Sequence, residues 1–184
     1  MEEIISSLEA IAQNGYSGRM QRDRVARIQE DWRRERPDLD ISPMGVIGRL
    51  HRLAAALTEE LVAVYGEYGL GEGEFDVLAT LRRAGAPFER APGDLAHHTM
   101  VTTGAVTKRI DRLVDAGLVS RRQSEVDGRG RVVALTPAGV ELIDRAFEHH
   151  MRNEARLLGE LSPDEAGQLE GLLTTWLAAH EKRE

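Results

Sequence analysis

The sequence predicts a mainly α protein with a small β-hairpin wing: a winged helix-turn-helix lobe built into a longer helical body. Three observations lead there. Apolar residues recur at the 3.6-residue period along most of the chain, the mark of amphipathic helices. One segment, Thr99 to Thr136, reads instead in the order helix, strand, basic turn, strand. Finally, 41% of the 184 residues are hydrophobic but only 4% are aromatic, so the core must be assembled from many aliphatic helix contacts, with little sheet.

At this length the prior is a single domain. Ile4, Ile5, Leu8 and Ile11 form a short amphipathic pattern that Asn14-Gly15 would end. A second helix runs from about Arg22 to Arg36, with Val25, Ile28 and Trp32 on its apolar face and Trp32 as a core or interface anchor. Residues 1–41 thus form an N-terminal helical extension. The segment PDLDISP breaks the pattern, and Ser42-Pro43 starts the next helix, because Ser caps and Pro suits the first turn. In that long helix Ile47, Leu50, Ala54, Leu57, Leu61 and Val64 form a heptad-like seam suited to packing against another long helix, of this chain or of a second copy. Two more helices close the chain. One runs from Pro137 to about Leu158, and the other from Ser162 to about His180, with Ser162 and Glu165 as a capping box. Leu169, Leu172, Leu173, Trp176 and Leu177 give the last helix a wide apolar face that needs a partner surface. Residues 42–66 and 137–184 are therefore grouped as a helical dimerisation region.

Residues 70–136 form the lobe between them. Glu72 to Ala84 is a helix with Phe75, Leu78 and Leu81 inward, Pro92 to His98 a short helix, and Thr102 to Ala116 a third. In the third, Val106, Ile110 and Leu113 share one face, and Thr102 or Thr103 can cap its start. Gly117 is expected in the left-handed conformation that stops the helix, with Leu118 packing back on Leu113. Leu118 to Gln123 and Arg131 to Leu135 follow as strands around EVDGRG, a turn carrying Asp127-Gly128, with Arg129 and Arg131 near its tip. At 100° per residue, Gly104, Lys108, Asp111 and Asp115 lie opposite the apolar stripe, flanked by Thr107 and Arg112. Arg109 lies only about 60° from the stripe's centre and points toward the body, where it wants an internal carboxylate; Asp76 is the candidate.

Charge indicates what this lobe touches. From Arg90 to Arg131 there are eight Lys/Arg and five Asp/Glu, a local +3, while the remaining residues carry 16 and 26, which leaves the whole chain at −7. An acidic chain has placed its positive charge on one helix and one hairpin, where phosphates are attracted whatever the base sequence. The expected partner is double-stranded DNA. Thr103, Thr107 and Lys108 are candidate contacts to base edges or adjacent phosphates, with Thr102, Arg112 and Arg131 beside them and Gly104 allowing close approach. Arg129 would enter a narrow minor groove.

The run "LAHHTMVTTGAVTKRIDRLVDAGLVSRR…VDGRGRVVALTPAG" resembles the DNA-binding lobe of the MarR family of bacterial transcriptional regulators, over roughly residues 40 to 180 with the flanking helices. The stretch "EFDVLATLRR" and the added N-terminal helix containing a Trp are similar to that family's urate-responsive HucR/PecS-like branch. The resemblance implies interlocked terminal helices, hence an obligate homodimer. It also implies a repressor released from a pseudo-palindromic operator by a small anionic or aromatic effector, such as urate or another organic acid or phenolic. In that branch an Asp of this motif, an Arg of the recognition helix, an Arg of the first wing strand and a Trp of the added helix sense the ligand, which map to Asp76, Arg109, Arg121 and Trp32. Plainer alternatives stand beside this: a purely structural Asp76–Arg109 salt bridge, a Trp32 that only packs, or a winged-helix architectural or protein-interaction module with no small-molecule sensing.

Other signals exclude more than they suggest. The chain has no cysteine, which removes thiol-based sensing, disulfides and Cys-ligated zinc. His97-His98 and His149-His150 with Glu154 offer too few ligands for a metal. His51, beside the long seam, could titrate near a dimer axis, though a solvated helix histidine is the simpler reading. Glu59-Glu60 and Glu72/Glu74 are expected on solvent faces without a convergent partner. The GEGEF stretch lacks the Lys and the glycine spacing of a phosphate loop. With no nucleophile–base set, neither an enzyme nor a cofactor is expected. The start MEEIISSLEA is acidic where a secretion signal is basic, and no apolar run approaches the ~20 residues that span a bilayer. A cytoplasmic protein with no membrane partner is expected.

Overall fold

The computed structural model of the chain describes residues 23–99, 103–123 and 131–181, apart from the side chains of 96–98 and 103–105. Among these residues the elements are α1 (Arg24–Glu35), α2 (Pro43–Gly66), α3 (Glu72–Arg83), β1 (Glu89–Arg90), α4 (Pro92–His98), α5 (Thr103–Asp115), β2 (Val119–Gln123), β3 (Arg131–Leu135), α6 (Pro137–Leu158) and α7 (Pro163–Glu181). They fall into two compact units, Met1–Ala55 and Ala56–Glu184.

In the first unit Asp23 caps α1 by accepting the Ala26 N–H at 2.8 Å and is itself held by Arg49 at 2.7 Å. The inward face of α1 differs from the expected one. Val25 and Gln29 are buried, whereas Ile28 and Trp32 are 38% and 46% exposed. Gln29 is tolerated inside because its amide donates to the Ile41 carbonyl at 3.2 Å, so the polar group keeps a partner. Trp32 is accordingly no core anchor of this chain.

The second unit is organised around α3, α5, α6 and a small sheet. Leu78, Leu81, Leu95, Leu113, Val133 and Ile143 are among its most deeply buried side chains, so the expected inward positions of α3 and α5 are occupied as the periodicity requires. The sheet is antiparallel in the order β1-β3-β2, with Val119 opposite Leu135 and Gln123 opposite Arg131. The wing therefore has a third strand that the sequence did not announce. Two residues, Glu89 and Arg90, pair with Ala134 and Val133, a length too short for any alternation to register.

The corner between α5 and β2 is tightly made. Gly117 has φ +71°, the Leu118 N–H donates to the Leu113 carbonyl at 2.9 Å, and the Gly117 N–H to Val114 at 2.9 Å, the expected helix stop. Thr136 caps α6 by accepting the Gly139 N–H at 3.0 Å and donates its hydroxyl to the Gly117 carbonyl at 2.8 Å. The first turn of α6 is thus pinned onto the end of α5. At the far end, Ser162 and Glu165 form the anticipated capping box through the Ser162 N–H to Glu165 carboxylate bond (2.8 Å) and the Glu165 N–H to Ser162 hydroxyl bond (3.3 Å). No residue of α7 is buried. Among the described residues, no helix is long and apolar enough to cross a membrane.

Candidate nucleic-acid interface

The side chains of α5 divide cleanly. Val106, Ile110 and Leu113 are each 2% exposed and seat the helix on the core, while Thr107, Lys108, Asp111 and Arg112 face solvent. Thr103 opens the helix. Thr102, Arg129 and the Asp127-Gly128 turn lie outside the described residues. Arg131 is exposed at the start of β3, opposite Gln123. Lys108 and Arg131 make no ion pair among the described residues.

Other arginines of the lobe are engaged internally. Arg112 Nη2 lies 3.2 Å from Glu74 Oε1, and the Glu74 side chain is only 13% exposed. The second oxygen of Glu74 accepts the Gly71 N–H at 3.0 Å at the start of α3. The expectation that Glu74 stands in solvent without a partner is therefore corrected, because the N-terminus of α3 draws its carboxylate inward and Arg112 meets it there. Arg112 keeps most of its own surface, with 67% of the side chain exposed. Arg121 of β2 pairs with Asp111 of α5 at 2.6 Å, and Arg122 with the largely buried Glu89 at 3.0 Å. The first two pairs tie α5 to α3 and to β2, the third ties β2 to β1, and all three engage positive charge of the lobe.

Of the residues assigned to sensing, Asp76, Arg109 and Arg121 each have different neighbours in the second unit. Asp76 lines a cavity of about 290 Å³ whose walls include Tyr65, Phe75, Phe147, His150 and Glu154. The Tyr65 and Phe75 rings stack with centroids 4.1 Å apart. His150 is buried, with Nδ1 3.3 Å from the Tyr65 hydroxyl and Nε2 3.2 Å from Glu154. Burial, followed by the charges of Glu154, Glu72 and Asp76, pushes the Tyr65 phenol up to about 12. No ion pair joins Asp76 to Arg109. Instead the Arg109 side chain lies across Gly73, and its Nη1 is buried without a hydrogen-bond partner. The expected pairing fails because Gly73 leaves room for the guanidinium one turn before Asp76. Arg121 is occupied by Asp111, and Trp32 belongs to the other unit.

Sequence reasoning missed Tyr65, Gly73 and Glu74. For Tyr65 the advance signal was indirect, the one-turn spacing of His150 and Glu154, which form a histidine–carboxylate contact joined to Tyr65.

Comparison with known proteins agrees with this architecture. The model of the MarR family matches residues 68–130. The HTH-type transcriptional regulator PecS of Dickeya dadantii is 42% identical over 149 residues, spanning 81% of this chain and 90% of PecS. The HTH-type transcriptional repressor Rv2887 of Mycobacterium tuberculosis is 31% identical over 138 residues, 73% of this chain and 93% of that protein. A mutant of Escherichia coli MarR, solved in complex with operator DNA, superposes with a TM-score of 0.62 at 28% identity, covering 74% of this chain and 95% of that one. The likeness to PecS supports the PecS-like branch. With its three-stranded wing, the seated helix α5 and relatives of this similarity and coverage, the chain belongs to the MarR family of transcriptional regulators and is not an enzyme.

Proposed function

We propose that this regulator is a homodimeric repressor that binds a pseudo-palindromic stretch of double-stranded DNA and is released by a small effector. The observation that carries the reading is the outer face of α5. Thr107 and Lys108 stand exposed, while the same helix is seated through Val106, Ile110 and Leu113 and held at its sides by Glu74, through Arg112, and by Arg121, through Asp111. A helix so held can present side chains to base edges with little freedom left to lose. Thr103, Thr107 and Lys108 are assigned to bases or adjacent phosphates, and Arg112 and Arg131 to the backbone, with Thr102 and Arg129 completing the set. The operator-bound MarR structure and the repressor Rv2887 support repression as the mode of action. Two copies joined through α7 would place their reading helices on half-sites about 10 bp apart.

For the effector, the cavity beside Asp76 is the favoured seat. Its aromatic walls suit a planar ring, the carboxylates of Glu72, Asp76 and Glu154 accept hydrogen bonds and Arg83 supplies a positive charge, which together suit a planar anion that also carries N–H donors, as urate does. Asp76, Arg109, Arg121 and Trp32 remain the assigned sensing residues, and relay to α5 would run through α3. The test joins a thermal-shift screen of purines, organic acids and phenolics to a mobility-shift titration. An effector at 100 times its dissociation constant should add about 2.7 kcal/mol of stability and release the operator. Asp76→Asn should leave DNA binding intact and raise the effector concentration needed for release. If no compound in the screen both stabilises the protein and releases DNA, an architectural module without small-molecule sensing becomes the better description.

A further inference from the structure

We infer that Gly73 is a positioning residue for DNA recognition: the side chain it lacks is the seat of Arg109, and through that seat the first turn of α3 fixes the register of α5. The inference rests on α5 being the reading helix. Gly73 is buried at the second position of α3, where the helix cap is Gly71 and nothing in the capping requires glycine. Its backbone is not in the left-handed region, so conformational freedom does not explain it either. Glycine inside a helix costs about 0.5–1 kcal/mol relative to alanine, so a space requirement is the remaining physical reason. The neighbours supply one. A Cβ built on Gly73 would overlap Nε and Cζ of Arg109 and stand 2.6 Å from its Cδ, so the methyl and the outer half of the Arg109 side chain cannot share this space.

Arg109 is half-buried between α5 and the start of α3. It sits beside Ile110, which is 2% exposed, and Arg112, three residues on, reaches Glu74, the residue after Gly73. Two arginines one turn apart on α5 thus rest on two consecutive residues of α3, which fixes both the rotation of α5 and its position along α3. Arg109 Nη1 has no hydrogen-bond partner, so shape rather than a bond at that nitrogen decides where the side chain lies. A methyl group at 73 drives the Arg109 side chain from this seat by well over an ångström to reach ordinary contact, and by this inference α5, with Thr107 and Lys108, shifts with it. Base-edge hydrogen bonds lose their geometry over that distance, whereas diffuse attraction to phosphates does not.

The test measures affinity for operator and for random DNA, together with melting temperature, for Gly73→Ala, Arg109→Ala and the double variant. Gly73→Ala should lose about tenfold or more in operator affinity, with random DNA changed less than about twofold. In the Arg109→Ala background the same methyl should cost less than about twofold, because its collision partner is gone. Wild-type operator affinity in Gly73→Ala, with the higher melting temperature expected when alanine replaces an unobstructed helical glycine, would overturn the inference. Should Gly73→Ala fail to fold, Arg109→Ala decides: it must lose operator affinity while random binding persists, and full retention overturns the inference. Lys108→Ala is the control. If it keeps full operator affinity, the assignment of α5 as reading helix falls first, an outcome distinct from failure at Gly73.

Discussion

Leu173→Ala weighs the surface that a dimer must cover. Leu169, Leu172, Leu173, Trp176 and Leu177 are 36%, 70%, 40%, 37% and 60% exposed, although a soluble helix ordinarily turns such residues inward. Leu173 lines, with Leu158, Pro163, Leu169 and Leu177, an apolar groove of about 770 Å³. Leucine at 40% exposure leaves roughly 70 Å² for a partner, of which alanine would retain about a quarter, so the variant forgoes roughly 50 Å², or about 1.3 kcal/mol at 25 cal/mol per Å². A two-fold interface counts each change twice. The dimer should lose about 2.6 kcal/mol, a nearly hundredfold rise in its dissociation constant. Sedimentation velocity over a dilution series reads that shift directly. Leu173→Asp should go further, to monomer or unfolded protein at micromolar concentration, because it buries an unpaired carboxylate. A Leu173→Ala dimer within threefold of wild type, or a folded wild-type monomer at micromolar concentration, would refute the reasoning.

Two further outcomes are expected. Lys108→Ala and Arg131→Ala should each lower the salt dependence of operator binding by about one ion, and Lys108→Ala alone should also change sequence preference; equal losses on operator and random DNA for both would mean that the reading face is misplaced. Tyr65 should be the late-titrating phenol, near 12, and Tyr65→Phe should abolish that step in an ultraviolet titration. Since its folded value lies above the ordinary value of about 10, the stability it contributes is complete below pH 10 and is lost as pH rises toward 12. Titration of every phenol near pH 10 in still-folded protein would count against the buried Tyr65–His150 contact.

The sequence by itself determined whatever depends on neighbours three or four residues away. The Val106, Ile110 and Leu113 stripe, the Gly117 stop, the Ser162–Glu165 box and the strand Arg131–Leu135 all stand where periodicity and capping chemistry put them. What tertiary structure alone decided is how far one element slides along another. Projection showed that Arg109 turns inward, but a direction around one helix axis says nothing of the height at which its side chain meets the next helix. The distance from Asp76 to Gly73 is about 4.5 Å along α3, a single turn, and packing settled it in favour of the glycine. The same holds for Glu74 and Arg112, for Gln29 with Ile41, and for Tyr65 with His150, 85 residues apart. In each pair the chemistry of the side chain was plain in the sequence, and its partner was fixed only when segments beyond its own helix packed against it.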